Sequence, residues 1–180
     1  MSTPQIIETE RLVLRFPRLE DAHAIFENYA QDAEVTRYLI WSPHQSITET
    51  EDFLGICIKD LSNSKRLTWV ITKKERDSAL GMIELRIEND EANVGYVLAR
   101  CEWSKGYMTE ALRGVLDFAF AMADVRKIWA VCDVENKASA RVMEKAGMLY
   151  EGTLESFIAH PNISLAPRDV FRYAKTYVPE

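Results

Sequence analysis

The chain has little of several things that would announce a mechanism outright. Its 180 residues include three cysteines, Cys57, Cys101 and Cys132. The number is odd and no Cys-x-x-Cys spacing occurs, so neither a disulfide framework nor a zinc site is indicated. The histidines, His23, His44 and His160, lie far apart with no ligand spacing and read as surface residues, so no metal is expected. Cations are outnumbered, 22 Lys and Arg against 28 Asp and Glu, for a net charge of −6. A phosphate-backbone binder needs clustered cations, so nucleic acid is not expected as a direct partner. The balance fits an amine substrate, although most acidic proteins are simply soluble. The apolar stretch 115–123 is broken by Asp117 and falls far short of the roughly 20 residues of a membrane span. Met1-Ser2-Thr3-Pro4-Gln5 has neither the basic start nor the apolar core of a signal peptide. A cytoplasmic location without a membrane partner is the expectation. The triphosphate loop Gly-x-x-x-x-Gly-Lys-Ser/Thr and the three-glycine dinucleotide fingerprint are both missing, which disfavours a kinase or a dehydrogenase.

What remains is a chain of ordinary globular composition, 47% hydrophobic and 28% charged, long enough for a sizeable core. No linker or repeat divides it, so one domain over 1–180 is expected, with a core at about 9–177. Apolar alternation at Leu12, Leu14 and Phe16 predicts a strand over 11–16, and Ala22, Ile25, Phe26 and Tyr29 predict a helix over 19–30. A second helix is expected over 48–61, after an apolar connection, 38–43, that ends at Pro43. Strands at 67–72, 80–87 and 92–99 on short polar turns read as an antiparallel meander. A long helix then starts at Gly106, with Met108, Leu112, Val115, Leu116, Ala119 and Ala123 on one stripe. A buried strand over 128–134, a short helix over 136–146 stopped by Gly147, and closing strands at 150–156 and 170–177 complete the order. That order describes a mixed sheet with helices on its faces.

Two junctions could carry chemistry. Between Ala99 and Glu110 a strand ends, a polar turn with Ser104, Lys105 and Gly106 follows, and a helix begins. The unsatisfied N–H groups of a helix start carry partial positive charge and can hold an anion such as a pyrophosphate. From spacing alone, an ordinary strand-to-helix turn is the simpler account. At the second junction Asn136 is placed to cap the last helix, with Ser139 in its first turn, and a plain cap explains that equally well. Cys132, inside an apolar strand, reads as a small buried hydrophobe, and Trp41, Trp69 and Trp129 as core or pocket wall.

Taken in order, the segments resemble the GNAT superfamily of N-acetyltransferases, in its RimJ/RimL-like branch. Thr9-Glu10-Arg11-Leu12-Val13-Leu14-Arg15 with Glu20-Asp21-Ala22 resembles the opening of that branch. Asn93-Val94-Gly95-Tyr96-Val97-Leu98 resembles the strand that pairs with pantetheine, and Trp103-Ser104-Lys105-Gly106-Tyr107-Met108-Thr109-Glu110-Ala111 the pyrophosphate loop. Asn136-Lys137-Ala138-Ser139, Glu144-Lys145-Ala146-Gly147-Met148 and Glu151-Gly152 resemble the segment beside the coenzyme A thiol. The chain has Ser104 where the branch often has Gly, Met108 where the loop carries Gly or Ala, and Met143 where many relatives place a tyrosine acid.

The resemblance implies an α/β (α+β) fold: a mixed, mostly antiparallel seven-stranded sheet with a V-shaped splay between its fourth and fifth strands. Acetyl-CoA would enter that gap, against the backbone of Tyr96, Val97 and Leu98. The loop Trp103, Ser104, Lys105, Gly106, Tyr107, Met108 and Thr109 would hold the pyrophosphate, and Asn136 the pantetheine arm. Transfer to a primary amine would be direct, with the Val97 N–H as oxyanion donor and Ser139 supporting the departing thiolate. Glu84, Glu155 or a water chain would take the amine proton. Tyr38 and Trp41 are expected to contact the acceptor, together with the second helix and 157–167. That acceptor is a protein N-terminal Ser or Ala or a small-molecule amine, and the chain a monomer or homodimer. The rival from another class is a coenzyme-A-binding sensor without turnover.

Overall fold

The computed structural model describes residues 6–62, 65–122 and 124–178; Met1–Gln5 and Ala123, read above from the sequence, lie outside them. Among the described residues eight strands form one sheet: β1 (Ile6–Glu8), β2 (Leu12–Arg15), β3 (Arg66–Lys73), β4 (Arg76–Glu88), β5 (Glu91–Leu98), β6 (Lys127–Asp133), β7 (Leu149–His160) and β8 (Ser164–Thr176). Their order is β1-β2-β3-β4-β5-β6-β8-β7; of these neighbouring pairs β5 and β6 run parallel and the others antiparallel. The expected count of seven is corrected to eight, because the short β1 pairs with β2 through Ile6 and Arg15. Its three residues alternate too briefly to give a strand pattern in the sequence.

Helices cover both faces. On one side lie α4 (Tyr107–Phe120) and α5 (Lys137–Lys145), on the other α1 (Ala22–Ile25), α2 (Ala33–Thr36) and α3 (Ile47–Asp60). The helix expected over 19–30 is broken into three pieces: a 3₁₀ turn at Leu19–Asp21, α1, and a π turn at Phe26–Ala30. Asp21 is drawn into a buried bidentate pair with Arg15, at 2.6 and 2.9 Å, which pins the first turn to β2. Residues on alternate positions of each strand feed two cores. Leu67, Trp69, Ile71, Ile83 and Leu85 meet Leu112, Val115 and Leu116 of α4, while Val70 and Met82 meet Ile25, Tyr29, Leu54 and Cys57. Among the described residues no helix is long and apolar enough to cross a membrane.

What positions the site is the way β5 and β6 part. They pair only through Glu91 and Lys127, Ala92 and Ile128, and Asn93 and Trp129. Beyond Asn93, β5 stays on β4 up to Leu98, while β6 stays on β8 up to Asp133. Each arm of the V is therefore held by its outer neighbour, and the inner edges face each other unpaired.

Candidate active site

A cleft of about 1030 Å³ runs through this gap and out over the α1–α3 face of the sheet. Its first half is made of backbone. The Ala99 N–H bonds to Leu80 O on β4 at 2.7 Å, so the alternation of an antiparallel strand turns the N–H and C=O of Tyr96 and Leu98 toward the gap. The same alternation corrects the place expected for Val97. Its carbonyl packs against Gly81 of β4, where a Cβ would collide with it, and its N–H faces β4 opposite Met82. The Leu98 carbonyl accepts from Trp103 Nε1 at 2.8 Å, which folds the following loop back onto the end of β5.

That loop enters α4 through two left-handed residues, Ser104 at φ 62° and Gly106 at φ 81°. Glycine reaches this region freely, whereas Ser104 occupies it at a cost of about 1–2 kcal/mol. Gly106 is the residue from which α4 starts, so the unsatisfied N–H groups of the first turn emerge beside it at the rim of the cleft. Lys105 is engaged with Glu102 at 3.0 Å, and Glu102 is also held by Lys73 at 3.0 Å. Glu110, in the first turn, is drawn aside by Arg11 and by Thr9 Oγ1 at 2.7 and 2.6 Å, and these bonds keep its carboxyl below the usual range despite partial burial. Met108 turns into the core, 5% exposed, beside Leu112. Lys137, Arg141 and Lys145 of α5 line the same cleft and give this half its cations.

On the opposite arm, Asn136 accepts the Ser139 N–H at 3.1 Å and caps α5 as the sequence suggested. The Ser139 hydroxyl meets the Tyr96 hydroxyl at 2.8 Å, across the gap. Burial pushes the Cys132 thiol up to about 11, so it stays protonated and packs as an apolar residue.

The second half of the cleft is made of side chains. Tyr38 and Trp41 line it with His44 and Phe53, and the Trp41 and His44 rings lie 5.1 Å apart. Asn162, at the turn after β7, donates to Thr36 O at 2.7 Å and Trp41 O at 2.8 Å and ties down this connection. Glu84 also lines the cleft, clamped by Arg66 at 2.6 Å and Arg86 at 2.5 Å. Its burial alone would raise its pKa, but the two guanidiniums outweigh it and hold the carboxyl low. Glu155 stands exposed on β7 and is not among the residues that line the cleft. His44 and His160, read from sequence as surface residues, both line the cleft, and burial lowers the pKa of each. His160 is 4% exposed, beneath the 38–41 connection and 3.7 Å from the Asp133 carboxylate, which Arg168 holds at 2.6 Å. Nothing local in the sequence distinguishes such a histidine, because its neighbours come from β6, β8 and the 38–41 connection. Among the described residues no cluster of His, Cys, Asp and Glu suits a metal.

Residues 11–149 match the acetyltransferase (GNAT) domain family. An uncharacterized N-acetyltransferase, p20 of Bacillus licheniformis, is 31% identical over 157 residues, 85% of this chain and 87% of that protein. A GNAT-family acetyltransferase structure from Bacillus anthracis superposes with a TM-score of 0.82 at 28% identity, covering 95% of this chain and 98% of that one. RimL, a ribosomal L7/L12 α-N-protein acetyltransferase solved with coenzyme A, superposes with a TM-score of 0.84 at 21% identity, covering 95% and 97%. At that identity the likeness is one of fold.

Proposed function

The chain belongs to the GNAT acetyltransferase family and is an acyltransferase, and from that premise we propose that it moves an acetyl group from acetyl-CoA to a primary amine by direct attack in a ternary complex. The observation that carries the reading is the unpaired edge of β5 leading straight to the start of α4. The donor set suits this cosubstrate. Gap-facing N–H and C=O groups of Tyr96 and Leu98 match an amide-bearing arm, as an added strand would. The cradle at Ser104 and Gly106, with the α4 N-terminus and the α5 cations, matches a pyrophosphate. Asn136, once its carbonyl has capped α5, retains its amide N–H groups for the same arm.

Acetyl-CoA, when bound, supplies the activated acyl carbon; the chain supplies placement and charge stabilisation. The Tyr96 N–H, which faces the gap where that of Val97 does not, takes the place of Val97 as donor to the developing oxyanion, while the Leu98 N–H stays with the arm. Ser139 supports the departing sulfur. Glu84 stays ionised between its two arginines and orients rather than takes the amine proton, which leaves through cleft water; Glu155 has no part in this step. The aromatic wall of Tyr38 and Trp41, with the charge of Glu84 balanced by its two arginines, favours an acceptor carrying one amine on a partly apolar body. A peptide N-terminus fits that description better than a polycation does. We read the enzyme as cytoplasmic.

The test is thiol release from acetyl-CoA with a panel of Ser- and Ala-initiated peptides, spermidine and aminoglycosides. Amine-dependent release, fastest with a peptide, is expected. Tight acetyl-CoA binding with no amine-dependent thiol anywhere in the panel would instead identify a sensor module.

A further inference from the structure

Tyr96 and Ser139 come from opposite arms of the gap, β5 and α5, and their hydroxyls meet at 2.8 Å. The phenol also lies 3.2 Å from the Ser139 carbonyl oxygen. One phenolic proton cannot serve both acceptors, so two arrangements compete. In the first, Tyr96 donates to the carbonyl and Ser139 donates to the phenol oxygen, closing the pair on itself. In the second, Tyr96 donates to Ser139 Oγ, and the serine proton is turned away from the phenol. The geometry points to Tyr96 as the positioning residue for Ser139, aiming the serine hydroxyl at the sulfur that departs as the acetyl group moves. This rests on the acetyl-transfer reading above.

Three observations support it. Met143 is fully buried in the core, so no hydroxyl reaches the gap from the position where many relatives place a tyrosine. Tyr96 brings a phenol there from the other arm. Cys132 lines the same cleft as Ser139, but the partner that the serine hydroxyl meets is Tyr96, and a bond from the phenol fixes Oγ as an acceptor. Burial also raises the phenol well above its ordinary value, so Tyr96 remains a donor throughout the working pH range.

The same mismatch decides what the pair can do. An ordinary thiol titrates at about 8.5, below the phenol, so the proton stays on oxygen. In the step, the amine nitrogen forms the new C–N bond, the C–S bond breaks, and its electron pair leaves on sulfur. The amine proton passes to cleft water. The thiolate is hydrogen-bonded, not protonated, by Ser139, and Tyr96 strengthens that bond by polarising the serine hydroxyl.

The experiment compares the calorimetric affinities of CoA and desulfo-CoA at about pH 6.5 and about pH 9.5, on either side of an ordinary thiol pKa. A thiol whose pKa falls on binding is held more tightly as thiolate, so CoA gains on desulfo-CoA as pH rises. We expect a gain of about tenfold in the parent, about two- to threefold in Tyr96→Phe, and none in Ser139→Ala, as one charge-assisted hydrogen bond weakens and then disappears. The double variant should match Ser139→Ala, because Tyr96 acts through the serine. Turnover in Tyr96→Phe should fall about three- to tenfold with the KM for acetyl-CoA unchanged. An unchanged gain in Tyr96→Phe, or additive losses in the double variant, would overturn the proposal. Site-specific 3-fluorotyrosine at position 96, a stronger donor that preserves packing, should enlarge the gain, and an unaltered gain there would also overturn it. Loss of CoA binding in the parent itself would break the acetyl-transfer reading, whereas CoA binding without a pH gain would break only this one.

Discussion

The two halves of the cleft are built from different materials. The cosubstrate half is backbone: the inner edge of β5, the left-handed residues Ser104 and Gly106, and the starts of α4 and α5. The acceptor half is side chains gathered from the 38–44 connection, α3, β3, β4 and the end of β7. Backbone groups at element ends depend on where elements stop, which a few residues determine locally. A side-chain wall depends on which distant segments the fold brings together. The first should tolerate little change at the few side chains that set its backbone, Gly106 and Asn136 above all. The second should accept many substitutions, each altering which amine is preferred.

The substitution that should break the cosubstrate half most completely is Gly106→Val. A β-branched residue at φ 81° is strained, and its Cβ would stand 3.4 Å from Arg11 Nη2. At about 1–3 kcal/mol for such a conformation, acetyl-CoA affinity by calorimetry should fall about 10- to 100-fold while the chain remains folded. Trp41→Ala should cut the other way. We expect the KM for the acceptor to rise about fivefold to tenfold and the Kd for acetyl-CoA to stay put, because the ring belongs only to the acceptor wall. If both constants moved together, the halves would not be separable. Asn136→Ala joins stability to binding: the α5 cap is worth about 1 kcal/mol, so the melting temperature should drop about 2–4 °C, and acetyl-CoA affinity should weaken as well. A stability loss with intact affinity would reduce Asn136 to a cap. The smallest effect is expected from Ser104→Gly, which relieves a left-handed serine but loosens the unfolded chain. A rise of at most about 1 kcal/mol in stability, with acetyl-CoA affinity preserved, should follow.

The same contrast explains what could be read before folding. The 3.6-residue stripe of Met108, Leu112, Val115 and Leu116 placed the start of α4 to within a residue, and Gly147 marked the end of α5, because these signals are local. Three-residue β1 and the broken first helix escaped: one is too short to show a period, and the other is interrupted by the Arg15–Asp21 pair across elements. In the site, the loop at Gly106 and the cap at Asn136 were legible as motifs. Strand parity around Val97 was not, since it requires the register of β4 on β5. His160 looked like a surface residue for a similar reason: its burial depends on Asp133 and the 38–41 connection, both far away in sequence. Glu84 was visible as a carboxylate, but not the two arginines that hold its pKa low.

The central claim is that acetyl-CoA occupies the gap as an added strand, held by backbone. Residue-resolved amide hydrogen exchange, with and without acetyl-CoA, tests it most directly, because the groups proposed to hold the cosubstrate are themselves the exchanging N–H groups. Protection should appear at Tyr96 and Leu98 and across 104–109, and the 38–44 connection should exchange as before. Protection confined to 38–44, or unchanged exchange at Tyr96 and Leu98 under saturating acetyl-CoA, would contradict the account.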